Sequence, residues 1–303
     1  MDRLEAMSLL LLTVEKGSFT AAAKALRMPL ATVSRKVAEL EARLGTRLLL
    51  RTTRKLALTE AGVAYVAAAR RILEAVDAAE QAAAGEFSAP KGELVLTAPV
   101  MFGRLHLLPV VTDFLAAYPE IDVRLLLSDR TLHLVEDQVD MAARIGALPD
   151  SGLIATRVGE MRTVVCASPA FLAAHGAPAS PGALADLPCV GFDRETTAAG
   201  WSFRAPGGGR IEAPVRPRLS VTTAEAAIFA AVRGVGLTRV LHYQAAEAVA
   251  AGVLRLVLEA FEPEPRPVSL LHAPRGALPL KMRAFLDFAA PRLREGLRAL
   301  TSS

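Results

Sequence analysis

The stretch from Ser18 to Thr59 reads SFTAAAKALRMPLATVSRKVAELEARLGTRLLLRTTRKLALT. Its spacing describes a short helix, a tight turn, a second helix and a basic hairpin. Ser18 has the chemistry of an N-cap, and Ala21, Ala22, Ala25 and Leu26 make a small apolar stripe that another helix can approach closely. Pro29 cannot continue the first helix but suits the start of the next. In that second helix Val33, Val37, Leu40 and Leu44 recur at helical spacing and are expected to face inward. The opposite face then carries Ala31, Thr32, Ser34, Arg35 and Lys36. Short side chains with an Arg–Lys pair near a helix N-terminus suit entry into a DNA major groove. After Gly45, residues 47–59 alternate apolar positions with Arg51, Arg54 and Lys55, as a β-wing along a phosphate backbone would. The expectation is an N-terminal all-α winged helix-turn-helix.

Charge supports that division. The chain has 303 residues and a net charge of +4. Residues 1–60 hold 11 Lys+Arg against 6 Asp+Glu, a net of +5, which leaves 24 against 25 for the remainder. A basic head on a neutral body fits a nucleic-acid module followed by domains that need not touch DNA. At this length, with about half the residues apolar, two or three domains are expected. Cys166 and Cys189 lie 23 residues apart in apolar runs, fit no metal or redox spacing, and read as buried core residues of a cytosolic protein. The apolar run 7–14 is bounded by Glu15–Lys16 and preceded by Asp2 and Glu5, so it reads as a first helix rather than a signal peptide. No apolar run approaches the ~20 residues of a membrane span. A soluble, cytoplasmic protein is expected, with no membrane partner.

Along the chain, the first helix is expected to present Leu4, Met7, Leu11 and Val14 on one face, with Leu10 beside them. Residues 59–84 read as one long linker helix on which Tyr65, Ala69, Ile72, Val76, Ala79 and Ala83 form an a/d seam, expected to pair two copies of the chain. Two heads could then read two half-sites. Residues 87–92 read as a linker. Beyond it strands and helices alternate, which predicts an open, mainly parallel α/β sheet with helices on both faces and ligands at the carboxyl ends of its strands.

GSFTAAAKAL, VSRKVAELEARLGTRLL and RTTRKLALTEAG, followed by TAPVMFGRLHLLP, FLAAYPEI, VDMAARIG and VVCASPAFLAAHG, carry a resemblance to the LysR-type transcriptional regulators over essentially the whole chain. MPLATVSRK and the ending GLTRVLHYQ…FEPEPRPVSLLH resemble its CrgA/DsdC-like branch. The resemblance implies a winged helix-turn-helix at 1–59, a linker and dimerisation helix at 60–90, and an effector-binding domain at 91–303. That last domain would be an α/β, two-lobed, periplasmic-binding-protein-like fold. Lobe I would span about 91–160 plus 268–303 and lobe II about 161–267, with crossovers near Met161–Thr163 and Pro265–Val268. The implied partners are a double-stranded DNA operator, a small-molecule effector of anionic or aromatic character, further copies of the chain as homodimer or homotetramer, and RNA polymerase.

Residue by residue, Leu30, Ala31, Ser34 and Arg35 match the family's base-reading positions, and Arg35 is the best donor for a guanine. Thr32, Lys36 and Arg51 read as phosphate contacts and Arg54 as a minor-groove contact at the wing tip; Ser18 and Lys55 complete the DNA-binding set. Leu30 stands where the family commonly has a Gln-type residue, so contact with a thymine methyl replaces an adenine pair. On the effector side, Thr97, Ala98, Pro99, Val100 and Phe102 run from a strand end into a helix start, where free amides favour an anion. Ser128 and Arg144 close neighbouring strands, and Phe192, Thr222 and Thr223 are the expected counterparts from lobe II.

No catalytic set or metal-ligand spacing stands out, and no cofactor is expected. Gly207–Gly208–Gly209 reads as a hairpin turn and Gly234 and Gly236 as helix capping. The leading expectation is a ligand-responsive transcription regulator and not an enzyme. A solute-binding protein or enzyme would have no use for the basic head. A constitutive repressor or architectural DNA-binder with a vestigial cleft is the third alternative.

Overall fold

The computed structural model describes residues 2–51, 56–84, 89–130, 134, 136–148, 152–192, 200–274 and 278–301. The chain divides into two units, Met1–Ala89 and Pro90–Ser303, each built around its own core.

The first unit consists of α1 (Arg3–Glu15), α2 (Phe19–Leu26), α3 (Leu30–Leu44), the hairpin β1 (Leu49–Arg51) and β2 (Leu56–Leu58), and α4 (Glu60–Ala84). Side-chain caps set the helix starts: Asp2 accepts from Leu4 N at 3.0 Å and Ser18 from Ala21 N at 3.1 Å. Gly45, in the left-handed conformation, ends α3. Glu41 then reaches forward from α3 and accepts from the amides of Leu48 and Leu49 at 2.7 and 3.0 Å, which fixes the start of the wing. Gly62 is where α4 closes on that wing: a Cβ there would lie 2.0 Å from Leu48 O.

The unit's core corrects the sequence reading in four places. The inward face of α1 is Ala6, Leu9, Leu10 and Thr13, with Leu4, Met7, Leu11 and Val14 only half-buried. The helix is covered by both α3 and α4, so its buried arc is set by two neighbours and not by one stripe. On α2 the buried pair is Ala22 and Ala23, while Ala25 and Leu26 are exposed. Leu44, in the last turn of α3, is also exposed. On α4, Ala69 is fully buried and Tyr65 packs on the head's own core, because α1 lies along the first turns of this helix. The expected seam is therefore committed within the chain at its first two positions. Ile72 and Ala79 are exposed and Val76 half-buried; the side chain of Ala83 lies outside the described residues.

The second unit contains two five-stranded sheets. Strands β3 (Gly92–Ala98), β4 (Ile121–Leu127), β5 (Met141–Ile145), β6 (Ile154–Met161) and β14 (Arg266–His272) form the first, in the order β4-β3-β5-β14-β6. Strands β7 (Thr163–Ala167), β8 (Pro188–Phe192), β11 (Arg216–Val221), β12 (Leu237–Leu241) and β13 (Arg255–Val257) form the second, in the order β11-β8-β12-β7-β13. Both sheets are mixed, where a mainly parallel sheet was expected: β4, β3 and β5 run parallel, but β14 is antiparallel to both β5 and β6. In the second sheet β11, β8 and β12 run parallel, but β7 is antiparallel to β12 and β13. The reason is topological. The chain leaves the first sheet on β6, enters the second on β7 after the single residue Arg162, and returns on β14, so outgoing and returning strands run in opposite directions.

Helix α5 (Val100–Ala117) widens into a π turn over Gly103–Leu107. Its composition and length would suit a membrane span, but Phe102, Leu107 and Phe114 are buried against the first sheet together with Phe285 and Leu293 of α9 (Leu280–Thr301). The second sheet is covered by α6 (Pro169–His175), α7 (Ala224–Val232), α8 (His242–Ala250) and the hairpin of β9 (Trp201–Arg204) and β10 (Arg210–Ala213), which Gly207–Gly209 joins as expected.

Candidate DNA-reading helix and effector cleft

In the head, α3 buries Val33, Val37 and Leu40 and turns its other face outward. Leu30 is 46% exposed, Ala31 exposed, and Thr32 and Ser34 half-exposed. Arg35 projects freely, with its side chain 65% exposed and an i,i+4 ion pair to Glu39 at 2.7 Å. Such a pair is worth about 0.3–0.5 kcal/mol, too little to hold the guanidinium back from a base or phosphate. Lys36 differs. Its side chain is 19% exposed and its ammonium is bonded to Glu5 of α1, so it ties two helices together, where the sequence suggested a phosphate contact. The Ser18 hydroxyl is engaged as the α2 cap. Arg54 and Lys55 lie outside the described residues, as does the Arg51 side chain. Leu26, exposed at the end of α2, escaped the sequence reading because the stripe was phased to bury it.

In the second unit a cavity of about 590 Å³ opens between the sheets. Five residues expected from the sequence line it: Pro99, Ser128 and Arg144 from the first sheet's side, Phe192 and Thr222 from the second's. The other five do not. Thr97 is fully buried and donates to Leu126 O at 2.8 Å; Ala98 and Phe102 belong to the core; Thr223 caps α7 by accepting from Ala226 N at 3.3 Å. Val100 N, the amide expected to meet an anion, already donates to the Asp129 carboxylate at 3.0 Å. An internal carboxylate thus occupies the helix start.

The cavity gains six linings that sequence reasoning missed. Asp129 and Arg130 follow Ser128 in the turn after β4; Ile145 ends β5; Leu241, Tyr243 and Gln244 lie where β12 passes directly into α8. The signal available for the last three was their place at a strand's carboxyl end, where such sheets bind ligands. Arg144 is half-buried, and burial lowers its pKa, a mark of a cation held in a partly dry wall. Burial pushes the Tyr243 hydroxyl well up, so it stays a neutral donor or acceptor. Tyr243 packs edge-on to Phe102 at 5.8 Å and His106 at 5.3 Å, so rings from the first sheet's side hold this cavity residue in place from behind. Arg104 of α5 also meets Glu225 of α7 at 3.0 Å across the gap. The wall combines two arginines, one carboxylate, hydroxyl and amide donors, and an apolar surface.

Other chemistry is sparse. Burial raises the Cys166 thiol to about 12 and Cys189 to about 11, which matches their reading as core residues. Among the described residues no group of His, Cys, Asp and Glu is placed to hold a metal ion.

Comparison with known proteins gives this geometry a family. Residues 4–63 match the bacterial regulatory helix-turn-helix protein of the lysR family, and residues 88–294 match the LysR substrate binding domain. The chain is 37% identical over 284 residues to an HTH-type transcriptional regulator of Xanthomonas campestris pv. campestris, covering 92% of this chain and 82% of that one. It is 34% identical over 295 residues to the HTH-type transcriptional regulator CrgA of Neisseria meningitidis, covering 97% and 98%. The solved structure of CrgA superposes with a TM-score of 0.61 at 33% identity over 97% of this chain and 99% of that one. Full-length AphB, a virulence activator of Vibrio cholerae, superposes with a TM-score of 0.60 at 28% identity over 95% and 98%. The chain belongs to the LysR family of transcriptional regulators, with a helix-turn-helix head and an effector-binding domain.

Proposed function

We propose that this regulator binds a specific DNA operator through α3 and its wing, and that a small anionic ligand with an apolar or aromatic body, held between the two lobes, controls that binding. The observation that carries the reading is the cavity wall itself. Arg130 and Arg144 offer positive charge on one side, while Phe192, Leu241, Ile145 and Tyr243 offer an apolar surface. A carboxylate on a ring or short chain satisfies both. Val100 N does not serve as the anion's seat, because Asp129 holds it.

On the DNA side, Arg35 reads a base and Leu30 lies against a thymine methyl, with Ala31, Thr32 and Ser34 close to the backbone or bases. Arg51 contacts a phosphate and Arg54 a minor groove, with Lys55 completing the basic set. Copies of the chain assemble through the outer part of α4, where Ile72 is 42% exposed, and through the regulatory domain, where Phe229 of α7 is 69% exposed. Ligand binding shifts the lobes between two arrangements and thereby the spacing of the paired heads. RNA polymerase is the partner that reads the outcome. The protein performs no catalysis and works in the cytoplasm.

The test is thermal denaturation of the full chain against a panel of aromatic and aliphatic carboxylates. The reading expects at least one to raise the melting temperature in a saturable way, and Arg144→Gln to abolish the rise. A panel without effect on the wild-type chain, or an undiminished rise in Arg144→Gln, counts against it.

A further inference from the structure

Beside the crossover between the sheets, two buried polar groups have no hydrogen-bond partner among the described residues, and they are neighbours. They are the Thr163 hydroxyl on β7 and the Arg239 Nε on β12. In the antiparallel ladder Thr163 stands opposite Leu241 and Val165 opposite Arg239. Thr163 and Arg239 therefore project from the same face as diagonal neighbours, about 7–8 Å apart at the backbone. Two orphaned donors on one face are uncommon, since buried polar groups are nearly always paired with protein, water or ions.

Their surroundings are positively charged. Arg239 lies over the Phe203 ring, its guanidinium carbon 5.8 Å from the ring centroid. Burial lowers its pKa to about 10, and Arg266 at the start of β14 and Arg210 on β10 push in the same direction; Glu212 opposes them. That carboxylate is already bonded to Arg210. Arg204, opposite Arg210 in the hairpin, is bonded to Glu264. Arg239, Arg266 and Arg210 are thus set against Glu212 alone, an excess of two charges beside the two unsatisfied donors.

We propose that Thr163, Arg239, Arg210 and Arg266 form a second anion site, separate from the cleft, that takes a small dianionic oxyanion of the phosphate or sulfate type. Both orphaned groups can donate, and a tetrahedral dianion accepts from several guanidiniums and a hydroxyl at once while cancelling the charge excess. Neither Thr163 nor Arg239 lines the cleft cavity, whereas Leu241, opposite Thr163, does. The site does not depend on what the cleft binds. It joins β7 and β12 of one sheet to the returning strand β14 of the other, so an occupant favours one arrangement of the lobes over another.

The experiment is a melting titration of the full chain with inorganic phosphate, and separately sulfate, against chloride at matched ionic strength. The site predicts a saturable rise in melting temperature specific to the oxyanion. Arg239→Met and the exposed Arg266→Gln should each weaken the apparent affinity by about tenfold or more, and Thr163→Val should weaken it too. Arg266→Gln carries the test if Arg239→Met fails to fold. Absence of an oxyanion-specific rise means that water alone satisfies the donors and overturns the proposal. An undiminished rise in Arg266→Gln and Arg239→Met, or its loss in Arg144→Gln alone, places the anion elsewhere and overturns it as well.

Discussion

Arg162 grips Glu262 with two guanidinium nitrogens, Nε to Oε2 at 2.8 Å and Nη2 to Oε1 at 2.7 Å, and Nη2 also donates to Glu259 at 3.2 Å. Arg162 is the one residue between β6 and β7, and Glu262 precedes the return on β14, so the pair clasps the two passages between the lobes. The Arg162 carbonyl accepts from His242 N at 2.9 Å, and the next two residues, Tyr243 and Gln244, line the cleft. His242, bonded to the clasp and directly before Tyr243, links the clasp to the cavity wall.

Arg162→Met leaves the Glu262 carboxylate, whose side chain is 16% exposed, without its fork. The expected loss is about 2 kcal/mol, read as a lower urea midpoint of the full chain. Arg162→Lys should recover only part, because one ammonium cannot reproduce two parallel bonds. An unchanged midpoint in the Met variant would show the clasp to be energetically idle.

His106 predicts a pH dependence. Burial lowers its pKa below the ordinary value, and its Nε2 is buried without a partner among the described residues. The folded state therefore disfavours the imidazolium, and the unfolded chain binds more protons. Stability from this group is complete above the unfolded pKa of about 6.5 and declines as pH falls below it. His242 shifts in the same direction, through burial first and Arg162 second. Melting temperature should fall between about pH 7.5 and about pH 5.5, and His106→Phe, which keeps the ring contacts to Phe102 and Tyr243, should fall less. An identical decline in the variant would remove His106 from the account.

The thiols give a kinetic check. With Cys166 near 12 and Cys189 near 11, almost no thiolate exists at neutral pH, and both groups are buried. A thiol reagent should label neither cysteine in the folded chain and both after urea unfolding. Rapid labelling of the native protein would contradict this burial.

How much of this was legible in the sequence depended on how each element is covered. Helix α3 could be read because one face meets the core: Val33, Val37 and Leu40 fix its phase and leave Arg35 outside. Helix α1 could not, because its run of leucines is apolar on nearly every side and two neighbours divide its burial. The α4 seam was misjudged at Tyr65 and Ala69 since a 4,3 pattern looks the same whether the partner is a second chain or α1. In the cleft, strand ends pointed to Ser128, Arg144 and Phe192. The capture of Val100 N by Asp129, 29 residues away, follows from the parallel pairing of β3 with β4, which local spacing does not reveal. The crossover clasp joins residues 100 apart and left no local trace.

Neighbouring cations on α3 should behave differently. Arg35→Ala is expected to weaken operator binding by about 1–3 kcal/mol with a smaller effect on random DNA. Lys36→Ala, by breaking the tie to Glu5, should lower the stability of the head more than it changes the salt slope of DNA binding. Competition binding at fixed salt, paired with melting curves, separates them. Equal losses on operator and random DNA for Arg35→Ala would reduce it to a phosphate contact.

The most direct test of ligand-controlled DNA binding is footprinting of the full chain on the DNA flanking its own gene, with and without a carboxylate that raises its melting temperature. The account predicts that the compound changes the affinity or extent of the footprint for the wild-type chain and leaves Arg144→Gln unaffected. A footprint that stays the same at saturating compound would contradict it.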